Sequence, residues 1–307
     1  MIERDRGVRQ DPVKAIAFMA AAVFMLSTMD AALKALVEHY PSIQVVFLRC
    51  ALSAPLFAVW MMFRDRSLFR PHRWRNHVLR AAIGLVMLFA VGECFRELPL
   101  ADAYAIFFAA PLLITLLSGL VMKEPAGPHR LAVAALGFVG VLVVLKPGAS
   151  ALISYGSLMG LVAVVAYAFV ALLLRSLGRL EHSITIAFWF TALVGVGAAL
   201  FAIGAWQPLL LEDWPWLLVL GVTGTAGQVF LTAAFRRASA AVVAPQEYLA
   251  MLWAVMYGWW FWGDLPGTRT WIGSAIVVAA GLYILFREQR LQRRLVLSAE
   301  THEHPGL

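Results

Sequence analysis

An acid in an apolar stretch is the feature of the sequence most able to do chemistry. Glu247 lies in AAVVAPQEYLA, residues 240–250, where Gln246 and Tyr248 flank it and most other residues are apolar. A charged side chain at the centre of a membrane helix costs about 2.5–3.5 kcal/mol, so it usually faces a cavity or a partner. A carboxylate here could bind a cationic or amine-bearing solute, or accept a proton. Pairing with Arg49 or with a backbone group is the structural alternative.

Further charged residues lie in or beside apolar runs. Asp30 and Lys34 are four residues apart, so on a helix they share one face and could form an ion pair. Lys34 could instead extend to the headgroups or contact a solute, and Asp30 could pair with Arg49 or line a cavity. The Arg49 guanidinium could hold helices together or bind an anion. Glu93 and Arg96 are most simply an ion pair near the membrane surface, with a gate as the alternative role of Glu93.

Aromatic side chains near these charges could bind a flat ring or a cation. Tyr248 directly follows Glu247, and Trp253 is predicted to lie on the same helix. The face of such a ring attracts cations. Phe108 belongs to an aromatic group in the first half of the chain and completes the candidate residues. For most of the other aromatic residues, contact with lipid or with neighbouring helices is the simpler interpretation.

Composition identifies the kind of protein that must position these residues. Hydrophobic residues make up 62% of 307 and charged residues only 14%, whereas soluble domains are nearer half apolar and a quarter charged. Because a spanning helix needs roughly 20 mostly apolar residues, the apolar runs predict an all-α integral membrane protein with about ten transmembrane helices. The predicted spans are residues 13–36, 42–63, 78–96, 99–122, 130–146, 155–174, 183–206, 214–235, 240–262 and 270–286.

The distribution of basic residues predicts the topology. Of 25 lysines and arginines, 20 fall on the side of the two termini, including a loop from Arg64 to Arg80, and 4 fall on the opposite side. Basic residues bias loops toward the cytoplasm, so both termini are predicted to be cytoplasmic. That placement requires an even number of spans. The net charge of +7 therefore reflects topology and does not indicate a nucleic-acid partner.

The chain contains a weak copy of itself at an offset of 140 residues. This offset aligns Phe95 and Arg96 with Phe235 and Arg236, and it aligns Glu124 with Asp264. The repeat predicts two five-helix halves joined by a linker and flanked by two cytoplasmic tails. In chain order, the predicted segments are residues 1–12, 13–147, 148–154, 155–287 and 288–307.

An odd number of spans in each half has a mechanical consequence. The second half must enter the membrane from the opposite side, which makes the two halves inverted repeats, the arrangement that suits alternating access. Pro245 precedes Glu247, and Pro111 lies one turn beyond Phe107, the residue that aligns with Glu247. Proline removes a backbone donor and loosens a helix. Interrupted helices at corresponding places in two halves indicate a carrier's binding site.

Several stretches of the sequence resemble a known family. VVFLRCALSA, LPLADAYAIFFAAPLLITLLSGLVMKEP and AAVVAPQEYLAMLWAVMYGWWFWGDLP resemble the drug/metabolite transporter superfamily, in particular its ten-span EamA-type carriers, over residues 14–287. Within that superfamily, the motifs are most similar to bacterial carriers of S-adenosylmethionine and riboflavin. The resemblance implies a helical bundle with a central cavity in the bacterial inner membrane.

These observations predict a secondary active transporter of a small organic metabolite, such as a vitamin, an amino-acid derivative or a nucleoside-like compound. The glycine-rich stretch GVTGTAGQ lacks the Lys-Ser/Thr pair of a phosphate-binding loop, so protons, a counter-substrate or the substrate gradient itself would drive transport. An exporter of an amino acid, drug or metallophore is the alternative on the same fold. The direction of transport and the oligomeric state, including a homodimer, stay open.

A membrane-embedded enzyme or sensor is the alternative from another class. Every histidine lies outside the predicted spans, and none has metal-ligand spacing. The two cysteines fall within spans and do not form a disulfide framework or a metal site. The sequence therefore predicts neither a catalytic residue nor a cofactor nor a bound metal.

Overall fold

The computed structural model describes residues 12–121, 128–145, 154–178, 180–238 and 244–303, and these contain helices and turns but no strand. The helices are α1 Pro12–His39, α2 Ser42–Arg64, α3 Trp74–Glu97, α4 Leu100–Phe107, α5 Ala110–Val121, α6 Pro128–Leu145, α7 Tyr155–Leu177, α8 Ser183–Ala202, α9 Trp214–Arg237, α10 Leu249–Trp262 and α11 Thr268–Glu303. Short 3₁₀ helices lie at Arg66–Phe69, Ile203–Ala205, Leu211–Asp213 and Ala244–Tyr248.

The fold is that of a helical membrane protein. Among the described residues, six helical segments are long and apolar enough to cross a bilayer, and two shorter apolar segments span Leu100–Ile114 and Ala135–Val144. The all-helical fold class is thereby confirmed, whereas the count of ten spans and the cytoplasmic termini stay predictions. Glu124 and most of the predicted linker 148–154 lie outside the described residues.

Two predicted spans are not continuous helices. The span predicted at 99–122 is divided into α4 and α5 by a turn, and the described part of the span predicted at 240–262 begins as a 3₁₀ helix before α10. Hydropathy alone cannot detect such breaks, because the residues on both sides remain apolar. The prolines beside these breaks are the local signal for them.

The contacts between helices follow the internal repeat. The most extensive helix pairs are α1 with α9, α3 with α7, α6 with α11, and α2 with α8. Under the offset of 140 residues, α1, α2, α3 and α6 correspond to α7, α8, α9 and α11. The α1–α9 pair then maps onto α7–α3, while α2–α8 and α6–α11 each map onto themselves. This is the pairing expected of two similar halves related by a two-fold axis.

Polar contacts hold the α2–α8 flank together at both ends of α2. Beside its first residue, the Tyr40 hydroxyl donates to Asp213 at 2.7 Å. Beyond its last turn, the Glu181 carboxylate accepts from the backbone amides of His72 and Arg73 at 3.0 and 3.1 Å and lies 2.8 Å from Nε2 of His77. The two contacts occupy corresponding places, since Asp213 aligns with Arg73 at the offset of 140. Polar contacts are therefore present near both ends of α2.

The α6–α11 flank depends on a close approach of two backbones. A Cβ atom added at Gly273 would lie 2.6 Å from the carbonyl oxygen of Gly140, and one added at Gly140 would lie 2.8 Å from the carbonyl oxygen of Gly273. Small residues allow membrane helices to pack this closely. Because the obstructing atoms belong to the backbone, no side-chain rotation can make room.

We expect Gly273→Ala to destabilise this helix pair. Overpacking a close contact costs about 1–3 kcal/mol, so the apparent Tm of the purified protein should fall. Gly204→Ala is the matched control, because nothing lies within 4 Å of its added Cβ atom. Equal Tm values for the two variants would contradict the role assigned to the close approach.

Candidate functional site

Two broken helices form the centre of the candidate site. In the first half, α4 ends at Phe107 and α5 begins at Ala110; in the second, the 3₁₀ helix Ala244–Tyr248 passes directly into α10. Pro111 lies in the first turn of α5, and Pro245 lies within the 3₁₀ helix. Proline lacks a backbone donor and is best tolerated in the first turn of a helix, which favours a new helix start at each place.

The two breaks contact each other through corresponding residues. Phe108 and Tyr248 are 140 positions apart in the chain, and their ring centroids lie 5.1 Å apart with the planes at 67°. Phe108 also packs edge-on against Tyr104, at 6.1 Å. Two predicted site residues are therefore brought together at the point where the halves meet.

The Tyr248 side chain packs closely against a glycine on a neighbouring helix. A Cβ atom added at Gly281 of α11 would overlap the Tyr248 hydroxyl and lie 3.1 Å from Cζ. The hydroxyl is buried and has no hydrogen-bond partner among the described residues. Gly281 thus leaves the space that Tyr248 occupies beside the break.

Gly281→Ala should displace the Tyr248 ring and lower the apparent Tm, since a methyl group cannot share the position of the hydroxyl. Overpacking of this kind costs about 1–3 kcal/mol. Because the worst overlap is with the hydroxyl oxygen, adding Tyr248→Phe to Gly281→Ala should restore part of the lost Tm. If the double variant were no more stable than Gly281→Ala alone, the proposed contact would be wrong.

The Glu247 side chain is exposed, although it lies on the side of its segment that continues into buried residues of α10. Extending α10 back by one turn places Glu247 on the side of Ala250 and Ala254, which are buried. The opposite side carries Leu252 and Trp259, which are 61% and 60% exposed and face the surroundings of the bundle. Glu247 is itself exposed, so this placement makes it a candidate for lining an opening inside the bundle.

Tyr167 also lies on the inner side of its helix, α7. It is 47% exposed, yet it lies on the side of α7 opposite the exposed stripe of Leu158, Val165 and Phe169. Its phenol interacts electrostatically with Glu247. Among the described residues, Glu247 forms no hydrogen bond and no ion pair, so pairing with Arg49 is not observed.

Arg80 corrects the sequence prediction. The charge count grouped it with the basic residues of the loop, although the predicted span 78–96 already includes it; in the structure α3 begins at Trp74, and Arg80 lies within this helix and is only 8% exposed. Its guanidinium carbon lies 4.2 Å from the ring centroid of Phe190, and Nη1 donates to the Ile186 carbonyl at 3.4 Å. It also interacts electrostatically with Tyr167. Because Arg80 lies only two residues inside the predicted span, it was counted with the loop and was not considered as an interior cation.

Asp30 is tied to α4 and not directly to Arg49. The Tyr104 hydroxyl donates to Asp30 Oδ2 at 2.7 Å, and two residues earlier on α1 a 2.6 Å hydrogen bond joins the hydroxyls of Thr28 and Tyr257. Arg49 acts on Asp30 electrostatically, but within the described residues the two form no ion pair. Polar contacts therefore link α1 to both broken segments.

Lys34 has structural partners. Its ammonium group is buried and donates to the carbonyl oxygens of Phe95 and Leu98 at 2.8 and 3.0 Å. It also lies 5.3 Å from the ring centroid of Trp262. These carbonyls belong to the end of α3, where cations are favourable. Lys34 does not pair with Asp30 and instead ties α1 to α3.

The predicted ion pair at the end of α3 is confirmed. Arg96 Nη1 lies 3.2 Å from Glu93 Oε1, and Tyr155 donates to the same carboxylate at 3.2 Å. Arg96 also donates to the carbonyl oxygens of Val37 and Tyr40 at 2.9 and 2.8 Å. The pair therefore joins three helices close to one end of the bundle.

The remaining predicted residues contribute to packing beside Glu247. Trp253 packs edge-on against Phe24 of α1 with the ring centroids 4.7 Å apart, and it stacks with Tyr257 at 6.3 Å. Gln246 is partly buried in the 3₁₀ helix. Trp253 therefore joins α10 to α1.

Two cavities open on the outside of the bundle, away from the predicted residues. A cavity of about 430 Å³ between α3 and α7 is lined by apolar side chains. The other, about 680 Å³ at the start of α3, is lined by His72, Arg73, Trp74, Arg75, Asn76 and Leu79. The described residues contain no group of three or more His, Cys, Asp or Glu that could hold a metal ion.

An α-helical membrane bundle that places charged side chains in its interior beside two broken helices has the architecture of a solute transporter. The chain belongs to the EamA-like transporter family, whose profile matches residues 13–146 and again 154–287. It is therefore a multi-pass membrane transporter of small molecules and not an enzyme. The two matched segments are the two halves indicated by the internal repeat.

Curated relatives agree with this family. The chain is 30% identical over 267 residues to the pseudopaline exporter CntI of Pseudomonas aeruginosa, covering 84% of this chain and 91% of that protein. It is 31% identical to a riboflavin transporter of Rhizobium johnstonii, covering 73% of each, and 23% identical to an S-adenosylmethionine uptake transporter of Rickettsia bellii, covering 89% and 95%. Relatives from bacteria imply the inner membrane as the location.

A solved crystal structure supports the fold. It aligns with 91% of this chain and 99% of its own chain, with a TM-score of 0.61 and 19% sequence identity. At that identity the likeness concerns the fold alone.

Proposed function

We propose that the protein is a secondary active carrier that moves a small organic metabolite by alternating access, with the solute bound where the two helix breaks meet. The observation that carries this proposal is the contact of Phe108 with Tyr248 at corresponding breaks, beside an exposed interior acid at Glu247. Broken helices of corresponding position commonly form the binding site of carriers.

The contacts between the halves support an inverted arrangement. Two similar five-helix units of opposite orientation can exchange conformations around a central site, which opens it to one compartment at a time. The α2–α8 flank has polar contacts near both ends of α2, at Asp213 and Glu181. The opening movement would therefore occur mainly at the flank formed by α4, α5, α6, α10 and α11.

The interior carboxylates are the proposed coupling groups. Glu247 would bind a cationic part of the solute or a proton, since it has no ion pair within the described residues. Asp30 would respond through its hydrogen bond from Tyr104. Because the chain carries no phosphate-binding loop motif, protons or a counter-substrate would supply the driving force.

The names of the relatives support a solute in the range of vitamins and amino-acid derivatives. They include riboflavin and S-adenosylmethionine carriers and a pseudopaline exporter. Both uptake and export occur among them, so export is retained as the alternative direction. A solute can be found by the thermal stabilisation of purified protein, because a ligand bound only by the folded state raises the apparent Tm.

Glu247→Gln should lower counterflow of the stabilising solute in proteoliposomes about tenfold or more, because a charge-assisted hydrogen bond contributes about 1.5–3 kcal/mol. The screen would include riboflavin and S-adenosylmethionine. Glu212→Gln is the matched control, since Glu212 is an exposed acid in the short 3₁₀ helix Leu211–Asp213. A Glu247→Gln protein with unchanged rate and pH dependence would contradict the proposed role.

A further inference from the structure

Arg80 is a buried cation whose charge has no counter-ion in the described part of the chain. It is 8% exposed, and its Nε atom is buried without a hydrogen-bond partner there. Its single hydrogen bond, to Ile186, is long at 3.4 Å. Since a buried charge is costly unless it is paired, this arrangement requires another explanation.

Comparison with a second arginine shows what is unusual. Arg237 also places its guanidinium over a phenylalanine ring, 4.5 Å from the Phe18 centroid. It donates to the Ala233 carbonyl at 2.9 Å and lies at the last residue of α9. Arg80 instead lies inside α3, and of its five N–H donors one is seen to bond within the described residues.

The surroundings of Arg80 leave its Nε donor without a hydrogen-bond partner in the described part of the chain. Phe190 covers one face, and Gly84, one turn further along α3, leaves room for that ring, since an added Cβ atom would overlap it. The Nε edge is the unused side. Two parallel N–H donors on such an edge match the two oxygens of a carboxylate or a phosphate.

Tyr167 connects this cation to the candidate site. It lies on the side of α7 opposite the exposed stripe, and both Arg80 and Glu247 are close enough for their charges to act on its phenol. A positive and a negative side chain are thus both near the same ring. A solute lying along Tyr167 would meet both charges.

We propose that Arg80 binds an anionic group of the transported solute, a carboxylate or a phosphate, while Glu247 binds its cationic group, so that the solute carries both charges. This proposal rests on the proposed function, because it places Arg80 on the path of a transported solute. It narrows the substrate class to zwitterionic metabolites.

Thiol labelling beside Arg80 tests the anion site without knowledge of the solute. In a Cys50→Ala, Cys94→Ala background, Tyr167→Cys would be treated with an anionic and with a cationic methanethiosulfonate reagent. The ratio of the anionic to the cationic rate should fall about tenfold when Arg80→Gln is added, as expected for removal of a nearby charge. Arg80→Lys should preserve the ratio, and Arg237→Gln should not alter it.

Two labelling results would overturn the proposal. The first is an equal rate ratio with and without Arg80→Gln, which would mean that Arg80 does not attract anions to this place. The second is the absence of reaction with either reagent, which would mean that no solute reaches Tyr167. If Arg80→Gln does not fold, Arg80→Met, which keeps the length of the side chain without its charge, takes its place, and Arg80→Lys remains the charge-retaining control.

Counterflow separates this proposal from the proposed function. If Arg80 binds the anionic group, Arg80→Gln should reduce counterflow of a carboxylate-bearing or phosphate-bearing solute about tenfold, with partial recovery in Arg80→Lys. Comparing carboxylate solutes with phosphate solutes identifies which anion the site accepts. Normal counterflow in Arg80→Gln would show that Arg80 does not bind the solute, and the proposed transport function would stand. Absence of counterflow in the unaltered protein would instead contradict the proposed transport function.

Discussion

The contact between the two helix breaks is the constraint on which the rest of the structure depends. In a bilayer, backbone groups that leave a helix must be satisfied within the protein or face water. Each break is therefore tolerable only where the other half covers it or where a cavity opens beside it. Phe108 and Tyr248 are in contact at this place. The helix pairs around them, such as α1 with α9 and α6 with α11, keep the two breaks next to each other. The position of the interior site follows from that contact.

The charged residues of the interior divide into two groups by their partners. Asp30 and Lys34 have their hydrogen bonds supplied by Tyr104 and by carbonyls of the α3 end, so their burial is compensated and they hold helices together. Glu247 and Arg80 form no ion pair with any described residue. An unpaired charge is costly in an apolar interior. We therefore infer that a bound ligand supplies the opposite charge for each of these two side chains.

The sequence predicts the helices far better than their interior contacts. Apolar run length alone places α2 at 42–63, within one residue of Ser42–Arg64, and the prolines indicate both breaks. Arg80 was counted with the loop because it lies only two residues inside the predicted span 78–96, and hydropathy does not show that this residue is buried. The partners of Lys34 could not be found, since the carbonyl of Phe95 is distant in the chain and becomes a partner only through tertiary packing.

Labelling from water at position 247 is the sharpest test of a solute-binding site beside the helix breaks. In a Cys50→Ala, Cys94→Ala background, Glu247→Cys and Leu252→Cys would each be treated with a membrane-impermeant maleimide from one side of the membrane and then from the other. We expect labelling of the Glu247→Cys protein through an aqueous path and little labelling of the Leu252→Cys protein, because Leu252 lies on the exposed outer side of α10. A Glu247→Cys protein that reacts from neither compartment would show that no wet chamber lies between the breaks.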